Sequence, residues 1–314
     1  MLLATPFGVI RRDGCVEYIR SLRSSSGVRE RPARSSAMDP TVTFILLCMA
    51  AHAWTIPILS HRGMNETRKR FERELSEEYL FQNEMTAMDK IMMANEFRAE
   101  GDEFREGDIA VSKTGARSCF ARSCLWPKSV DGHVYIAYML SSEYNDLDRM
   151  TIQDGMESIE NGTCIRFVPW THQADYLDIQ PKSGCWSYLG VHGGGQTLSL
   201  QAPECITSGV TAHELMHALG FVHEHSRADR DKYITIQWAN IWKEHVKKFE
   251  KYRTNNLDTP YDYGSIMHFG KYAYSEDGDP TILPKRDPNV QLGQQFGPSV
   301  LDKFKINKLY KCEV

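Results

Sequence analysis

The chain has 314 residues, of which 41% are hydrophobic and 25% are charged, proportions that are ordinary for a soluble globular protein. Its net charge of −4 argues against a nucleic-acid partner, which a basic surface would attract. No uninterrupted apolar run approaches the roughly 20 residues needed to span a bilayer. The length allows a targeting segment, a propeptide and one domain of about 200 residues.

The sequence predicts a signal peptide at residues 38–53. The short apolar stretch Val42–Ala51 is followed by Ala51-His52-Ala53, which has the small-residue pattern of a cleavage site. The usual basic residue is missing from Met38-Asp39-Pro40. Residues 1–37 are rich in Arg and Ser. We interpret them as a non-native leader or a wrong gene start, and an organelle transit peptide is the alternative.

Residues 54–117 predict a propeptide. Residues 65–95 are charged, lack Pro and Gly, and carry apolar residues at helical spacing. Residues 101–108 are acidic and contain glycine, as a loop would. Lys113–Arg117 offers basic cleavage sites, so we expect a trypsin-like protease as the activating partner. A solvated helix and linker without an inhibitory role is the alternative.

Residues 118–314 have the pattern of apolar and polar residues that is typical of one folded domain. Ser208 is a candidate N-cap for a helix over the following residues. The periodicity predicts two further helices and four strands. The helices are Leu147–Glu160 and Ser299–Tyr310. The strands are His133–Met139, Cys164–Trp170, Tyr176–Ile179 and Gln196–Leu200.

The run from His213 to His223 predicts a catalytic metal site. His213 and His217 are four residues apart, so on a helix both rings lie on one face and can reach the same ion. Gly220 can turn the chain out of the helix and return His223 as a third ligand. Three protein ligands leave one tetrahedral position for water. Glu214 adjoins the first ligand and can act as the general base.

An amphipathic core helix with incidental histidines is the alternative for this run. The spacing of the His-Glu-x-x-His sequence alone would not exclude it. The added Gly220 and His223, together with a methionine turn further along the chain, favour the metal site because all of these features would otherwise have to coincide.

Six of the eight cysteines fall within the predicted domain. None forms Cys-x-x-Cys or lies near the histidines, so a disulfide framework in an oxidising compartment is favoured over a second metal site. Buried free thiols in a cytosolic protein are the alternative. The eight are Cys15, Cys48, Cys119, Cys124, Cys164, Cys185, Cys205 and Cys312.

The histidine run resembles the zinc-binding motif of the metzincins, and its continuation resembles that of the astacin family. The resemblance covers roughly residues 118–314 and implies an α+β fold of the zincin type with two lobes. The N-terminal lobe would hold a mixed sheet and the active-site helix, and the irregular C-terminal lobe would end in a helix. The matching segments are His213–His223, Glu224–Asp231, Tyr261–His268, Cys164–Val168 and Gly184–Tyr188.

The resemblance implies a role for each residue of the metal site. His213, His217 and His223 would bind one Zn²⁺ per catalytic domain. Glu214 would be the catalytic base. Met267, in the methionine turn, would form the apolar floor beneath the metal.

Two further residues would control activation if the resemblance holds. Glu224 would bind, directly or through water, the new amino terminus that activation releases. Asp108 would occupy the zinc and keep the zymogen silent. The family usually has Phe two residues before the glycine of this loop, but here Arg105 holds that position and Phe104 lies one residue earlier.

The disulfide pairing also rests on the resemblance, since sequence alone leaves many pairings open. Cys119 and Cys124 resemble the extra pair of the six-cysteine astacins of fish, which include the hatching enzymes. The implied pairs are Cys119–Cys124, Cys164–Cys312 and Cys185–Cys205.

Phe269 is the largest departure from the family pattern. Family members usually carry Tyr here, whose phenol can donate a hydrogen bond to the oxyanion formed during peptide attack. Loss of one such donor typically costs about 10²–10³ in rate. Tyr272 and Tyr274 are candidates to replace it by proximity in sequence.

We therefore expect a secreted zymogen of a zinc endopeptidase, monomeric and without a membrane span, that acts on extracellular proteins. Egg-envelope proteins at hatching are the leading substrate, and brood-tissue or digestive proteolysis is another role. The alternative is a weakly active protein of the same fold that binds an extracellular polypeptide. Substrate is expected to add to an edge strand formed by Gln196, Thr197, Leu198, Ser199 and Leu200, and an ordinary internal strand is the alternative for these residues.

Overall fold

The structure, a computed structural model, describes residues 85–96, 98, 104–111 and 124–313. The predicted leader, the signal peptide, the basic stretch at residues 113–117 and Cys119 lie outside these residues. Of the predicted propeptide, the described part is residues 85–96, 98 and 104–111, which we call the N-terminal segment.

A mixed seven-stranded sheet is the centre of the fold. Its spatial order is β1-β2-β6-β7-β5-β3-β4. The pairs β3/β4, β3/β5, β5/β7 and β2/β6 are parallel, whereas β1/β2 and β6/β7 are antiparallel. The strands are β1 (Phe104–Arg105), β2 (Ile109–Ala110), β3 (Val134–Leu140), β4 (Ile165–Pro169), β5 (Tyr176–Gln180), β6 (Cys185–Tyr188) and β7 (Gly195–Leu200).

The prediction that Gln196–Leu200 forms an edge strand is wrong. β7 pairs with β5 on one side and with β6 on the other, where Cys185 faces Leu200 and Trp186 faces Ser199. The chain leaves β6, turns back through residues 189–194 and returns as β7. The later strand, β7, therefore lies nearer the centre of the sheet than β6. Thr197 is half-buried, and the side chains of Gln196, Leu198, Ser199 and Leu200 are buried, as expected for an internal strand.

Three helices pack close to the sheet. They are α1 (Ala87–Glu96), α2 (Asp146–Glu160) and α3 (Ser208–Ala218). α2 packs against β4 and α3, while α3 also contacts α1, β6 and β7. Asn145 and Asp148 form a capping box that starts α2. The N-cap of α3 is Thr207, which accepts from the Val210 N–H, so the prediction of Ser208 as the cap was wrong by one residue.

The part of the chain after α3 has little regular structure. Short 3₁₀ segments occur at Glu224–Ser226, Arg230–Lys232, Trp238–Asn240 and Lys243–Phe249, and β8 (Ile234–Ile236) pairs antiparallel with β9 (Ile282–Pro284). A final helix, α4 (Val300–Tyr310), begins at the N-cap Ser299. A disulfide from Cys312 to Cys164 then ties this end of the chain to the start of β4.

The predicted α+β class, with a mixed sheet and an irregular C-terminal part, agrees with the structure. One core extends from the sheet through α2 and α3 into the C-terminal part, where Ile266, Phe269 and Ile306 are fully buried. Within the described part of the chain, no helix has both the length and the apolar character that a membrane crossing requires.

Candidate active site

Helix α3 and the turn after it bring three histidines together. His213 and His217 lie one helical turn apart on α3, and both are fully buried. Gly220 has φ +98°, a left-handed conformation that glycine adopts at little cost and that ends the helix. His223 follows it, also fully buried. The predicted helical spacing of the two histidines, the end of the helix at Gly220 and the return of His223 are therefore all present in the structure.

The three imidazoles converge on a single carboxylate oxygen. Asp108 Oδ2 lies 3.1 Å from His213 Nε2, 3.5 Å from His217 Nε2 and 3.2 Å from His223 Nε2. The ligand atoms of these four residues all lie within 4.8 Å of one another. Three histidines and one carboxylate around one point are a donor set that Zn²⁺ takes in tetrahedral geometry.

The other ring nitrogen of each histidine has a fixed acceptor. His213 Nδ1 donates to the Ile266 carbonyl at 2.9 Å, and His217 Nδ1 donates to the Phe221 carbonyl at 2.7 Å. His223 Nδ1 donates to Glu106 Oε2 at 2.5 Å. In the neutral form with these Nδ1 protons, each Nε2 would direct a lone pair to the common point. Such outer hydrogen bonds are typical of metal-binding histidines, so the residues fit a metal ion.

The charges at this point call for a cation. Burial lowers the pKa of His213 to about 4, so the ring is in the neutral form that binds a metal. Burial opposes the charge of Asp108, but the nearby His223 and His217 hold its pKa well below the usual range. Burial would lower the pKa of His223, yet Asp108 and Glu106 raise it to about 10. Without a metal, Asp108 and Glu106 stabilise a positive charge on the His223 ring. A bound metal ion would supply that positive charge instead.

Glu214 lies next to the first histidine with its carboxylate unengaged. It is fully buried, and among the described residues neither of its oxygens has a hydrogen-bond partner. Burial, followed by the charge of Asp108, raises its pKa well above the usual value. Buried polar groups without partners are rare and require an explanation. A carboxylate held in this way can accept a proton from a water molecule at the site.

The methionine turn connects the histidines to the C-terminal helix. Met267 is 2% exposed, and its carbonyl accepts from the Glu224 N–H at 2.9 Å. The neighbouring Ile266 N–H donates to Asp302 Oδ2 at 2.9 Å, and the Ile266 carbonyl binds His213. The residue Ile266 thus links α4 to a metal-site histidine.

Glu224 is held by groups of the C-terminal part. Its Oε1 accepts from Arg227 Nη1 at 3.1 Å and from the Asp262 N–H at 2.9 Å, and its Oε2 accepts from Lys305 Nζ at 2.7 Å. No amino terminus lies beside it in the described part of the chain. Two carboxylate oxygens offer about four acceptor positions, so one position is left.

The N-terminal segment delivers Asp108 through a tight turn between β1 and β2. Glu106 and Gly107 have φ values of +53° and +109°, so glycine is favoured at position 107. β2 adds to the free edge of β6 in parallel orientation, and the Asp108 carbonyl accepts from the Ser187 N–H at 3.0 Å. The segment therefore enters the site along the sheet edge.

Phe104 anchors this turn although it is one residue earlier than the family pattern requires. Its ring packs edge-on against Trp186 with a centroid distance of 5.6 Å. The Arg98 guanidinium lies 3.2 Å from the centroid of the same ring, and Arg98 Nη2 donates to the Gly107 carbonyl at 3.2 Å. Arg105 is exposed, so the aromatic anchor is supplied by the earlier position.

Phe269 fills an aromatic cluster beside the third histidine. It is fully buried, stacks on His225 with a centroid distance of 3.7 Å, and lies 4.8 Å from the His223 ring. Of the two tyrosines named as substitutes, Tyr272 is 56% exposed, whereas Tyr274 lies against Gly107 of the N-terminal segment.

The structure has the disulfides Cys164–Cys312 and Cys185–Cys205, which the resemblance implied. Cys124 is buried, and its implied partner Cys119 lies outside the described residues. The Cys185–Cys205 bridge joins elements next to the site, since Cys185 begins β6 and Cys205 lies just before α3.

Three residues important to this geometry were not identified from the sequence. Glu106 was one acidic residue in an acidic loop, although its place two residues before Asp108 was a usable signal. Ile266 acts through its carbonyl, which no side-chain pattern reveals. Asp302 is recognisable as the fourth residue of a Ser-x-x-Asp capping box, but its bond to Ile266 is not visible in the sequence.

Comparison with known proteins agrees with the geometry. The family model Astacin, which describes a family of peptidases, matches residues 123–311. The low choriolytic enzyme of Oryzias latipes is 44% identical over 214 residues, which are 67% of this chain and 79% of the relative. The embryonic protein UVS.2 of Xenopus laevis is 46% identical over 233 residues, 74% of this chain but only 45% of the relative.

A solved structure gives the same result. High choriolytic enzyme 1 of Oryzias latipes, described as a hatching enzyme zinc-protease, matches with a TM-score of 0.61 and 46% identity, covering 63% of this chain and all of that chain. A family model that matches most of the chain, a relative covered over most of its length and a shared fold agree with the converging histidines. The chain belongs to the astacin family of zinc metalloendopeptidases.

Proposed function

We propose that the chain is the latent precursor of a secreted zinc endopeptidase that cleaves extracellular proteins. The observation that carries this proposal is the position of Asp108, whose Oδ2 lies where the three histidine Nε2 atoms converge. With zinc held by the three histidines, this carboxylate would take the place of the water that a catalytic zinc needs. Removal of the N-terminal segment would free that position.

In the activated form, His213, His217 and His223 would hold the zinc and Glu214 would act as general base. Bound there, Zn²⁺ would lower the pKa of a water ligand towards about 7 and polarise the substrate carbonyl. Glu214 would take a proton from the attacking water and pass it to the leaving amine. Its buried carboxylate, unpaired among the described residues, supports this role. Met267 would close the site from below.

The free edge of β6 is the place where an extended substrate would bind. In the structure β2 pairs with Ser187 and Tyr188 along this edge. Main-chain pairing of this kind accepts extended peptides of many sequences. Once the N-terminal segment has gone, a substrate strand could pair with the same edge, beside the histidines that Asp108 now contacts.

Activation would involve cleavage by a trypsin-like protease in Lys113–Arg117. The new amino terminus would then bind Glu224, for which one acceptor position is left after Arg227, Lys305 and the Asp262 N–H are counted. The two described disulfides support secretion, because such bonds persist in oxidising compartments. We expect the active enzyme to be a monomer.

The names of the relatives support egg-envelope protein as the substrate. Three relatives are named choriolytic enzymes, and the solved structure is described as a hatching enzyme zinc-protease. Brood-tissue or digestive proteolysis would use the same chemistry. A second function, binding of an extracellular polypeptide with little cleavage, is favoured by one observation, the absence of a donor from the buried ring of Phe269.

The test begins with the purified full-length precursor loaded with Zn²⁺. Casein hydrolysis is measured before and after trypsin treatment, with and without a chelator, and with zinc restored. We expect no hydrolysis before treatment, hydrolysis afterwards, and its loss and recovery with the metal. Correct processing without any cleavage of casein would favour the binding function. Digestion of isolated egg envelopes, compared with casein, then tests the biological role.

A further inference from the structure

We propose that Tyr274 donates the hydrogen bond that stabilises the oxyanion formed during peptide hydrolysis. This inference rests on the proposed function. A tetrahedral oxyanion needs a preorganised donor within a site from which water is excluded. The Nδ1 protons of His213 and His217 are already bound to carbonyls, and the ring of Phe269 has no donor.

The hydroxyl of Tyr274 lies at the turn that carries Asp108. A β-carbon built on Gly107 would collide with the Tyr274 oxygen, so the phenol lies directly against the residue that precedes Asp108. Burial raises the pKa of Tyr274, and the charge of Asp108 raises it further, as expected for a phenol near that carboxylate. In the structure a carboxylate thus lies where the negative charge of a reacting peptide would develop.

The Tyr274 side chain also borders a cavity. Tyr274, Gly107 and Lys248 line a cavity of about 970 Å³ between α1 and the C-terminal part. Among the described residues, no group accepts a hydrogen bond from the Tyr274 hydroxyl. Departure of the N-terminal segment would remove α1 and Gly107 from the walls of this cavity and uncover the Tyr274 hydroxyl.

The surrounding groups fix the Tyr274 side chain. Lys248 Nζ lies 4.1 Å from the ring centroid, and the rings of His245 and Phe269 lie 4.6 and 5.8 Å away. The Tyr274 carbonyl accepts from the Trp242 N–H at 3.2 Å. Its φ is +53°, a left-handed conformation that is uncommon for an aromatic residue and is often found at functional sites.

The step balances without any further reactant. The oxygen of the attacking water bonds to the carbonyl carbon while a proton passes to Glu214, and the π electrons of the C=O bond move to its oxygen. That oxyanion accepts the hydrogen bond of Tyr274, which keeps its proton. The C–N bond then breaks, and the nitrogen leaves with the electron pair and takes the proton from Glu214.

The test removes single hydroxyl groups from the activated enzyme. Tyr274→Phe should lower kcat about 10²–10³-fold with KM changed less than about threefold, because the bond is made in the transition state. Zinc content and melting temperature should stay unchanged. Tyr135→Phe, an exposed tyrosine on β3, is the matched control. Calorimetry with a phosphinic peptide, a tetrahedral anion mimic, should show binding weakened at least about tenfold in Tyr274→Phe.

A second variant, Phe269→Tyr, tests whether a hydroxyl at position 269 can replace the hydrogen-bond donor of Tyr274. Phe269→Tyr should change kcat little in the wild type but restore at least about tenfold in the Tyr274→Phe background. Unchanged kcat and unchanged phosphinic-peptide affinity in Tyr274→Phe would overturn the proposal, and so would a loss that follows Tyr272→Phe instead. If the processed wild type cleaves no peptide, the proposed function fails first, and phosphinic-peptide binding still tests Tyr274.

Discussion

Lys305 Nζ lies 2.7 Å from Glu224 Oε2, with both side chains only 6% exposed. Glu224 directly follows His223, and Lys305 lies in the middle of α4. The ion pair therefore ties the C-terminal helix to the third histidine of the site. Arg227 binds the other oxygen of the same carboxylate, so two cations surround one buried anion.

Lys305→Met should lower the free energy of unfolding by about 3 kcal/mol, because it leaves part of a buried charge uncompensated. Glu224 keeps Arg227 as a cationic partner in this variant. The loss of unfolding free energy is therefore expected at the lower end of the range for broken buried ion pairs. Urea denaturation of the zinc-loaded precursor measures it. Lys303→Met is the matched control, since Lys303 is on the same helix without an ion pair among the described residues, and it should change stability by less than about 0.5 kcal/mol. Equal stability of the two variants would contradict the prediction.

Glu214→Gln should abolish hydrolysis while the zinc stays bound. Proton transfer by a positioned carboxylate contributes about 10²–10⁴ in rate, and the amide cannot accept the proton. The same change removes a buried carboxylate that has no partner among the described residues, so the variant should unfold at an equal or higher temperature. Turnover, metal content and thermal unfolding are measured together, with the exposed Glu204→Gln as control. Retained hydrolysis would remove Glu214 from the mechanism.

Asp108→Asn should make the uncleaved precursor active. A neutral amide binds Zn²⁺ more weakly than a carboxylate, so water and substrate could compete with it for the site. We expect casein hydrolysis by the intact variant at least about tenfold above the wild-type precursor, with both equal after trypsin treatment. Glu96→Gln, which changes an exposed carboxylate on α1, should stay latent. A silent Asp108→Asn precursor would show that the segment blocks the cleft by its bulk instead.

Local features of this fold could be predicted from the sequence because they depend on near neighbours. The spacing of His213 and His217 is set by the helical turn, and the exit at Gly220 by the freedom of glycine. The apolar periodicity located α2 and α4 to within a residue at each end. The same reasoning missed β6, since the short run Cys185–Tyr188 has no alternation that marks a strand.

Relationships across the sheet could not be predicted, because strand order depends on which surfaces meet in three dimensions. The sequence predicts β7 as an edge strand, although β6 lies outside it in the sheet. For the same reason Glu106 was not recognised, since its partner His223 is 117 residues away. The choice of Tyr274 over Tyr272 also needed the structure. Sequence proximity treats the two alike, whereas the structure places the Tyr274 hydroxyl against Gly107, the residue before Asp108.

Asp302 should make stability depend on pH. Burial raises its pKa from the usual 3.8 to about 6, so the folded protein binds this proton more tightly than the unfolded chain does. Its contribution is therefore fully present below about pH 4 and is lost as the pH rises through 6, by up to about 3 kcal/mol. Urea denaturation between pH 4 and 7 should show this decline in the wild type and a flatter profile in Asp302→Asn. Parallel profiles would contradict the shift.

The two described disulfides should differ in their effect on stability. Cys164–Cys312 closes a separation of 148 residues, whereas Cys185–Cys205 closes one of 20. In the chain-entropy treatment, the longer loop loses more freedom in the unfolded state, which gives about 5 and about 3 kcal/mol respectively. Double Cys→Ser variants of each bridge, compared by urea denaturation, should follow this order.

Activity should follow the opposite order, because the shorter bridge lies closer to the chemistry. Cys185 begins β6, the strand whose edge receives β2, and Cys205 lies just before α3 with its two histidines. Loss of that bridge should raise KM for peptide substrates more than loss of Cys164–Cys312, measured at a temperature where both variants are folded. If the larger rise in KM accompanies the longer bridge, the sheet edge at β6 is not what positions the substrate.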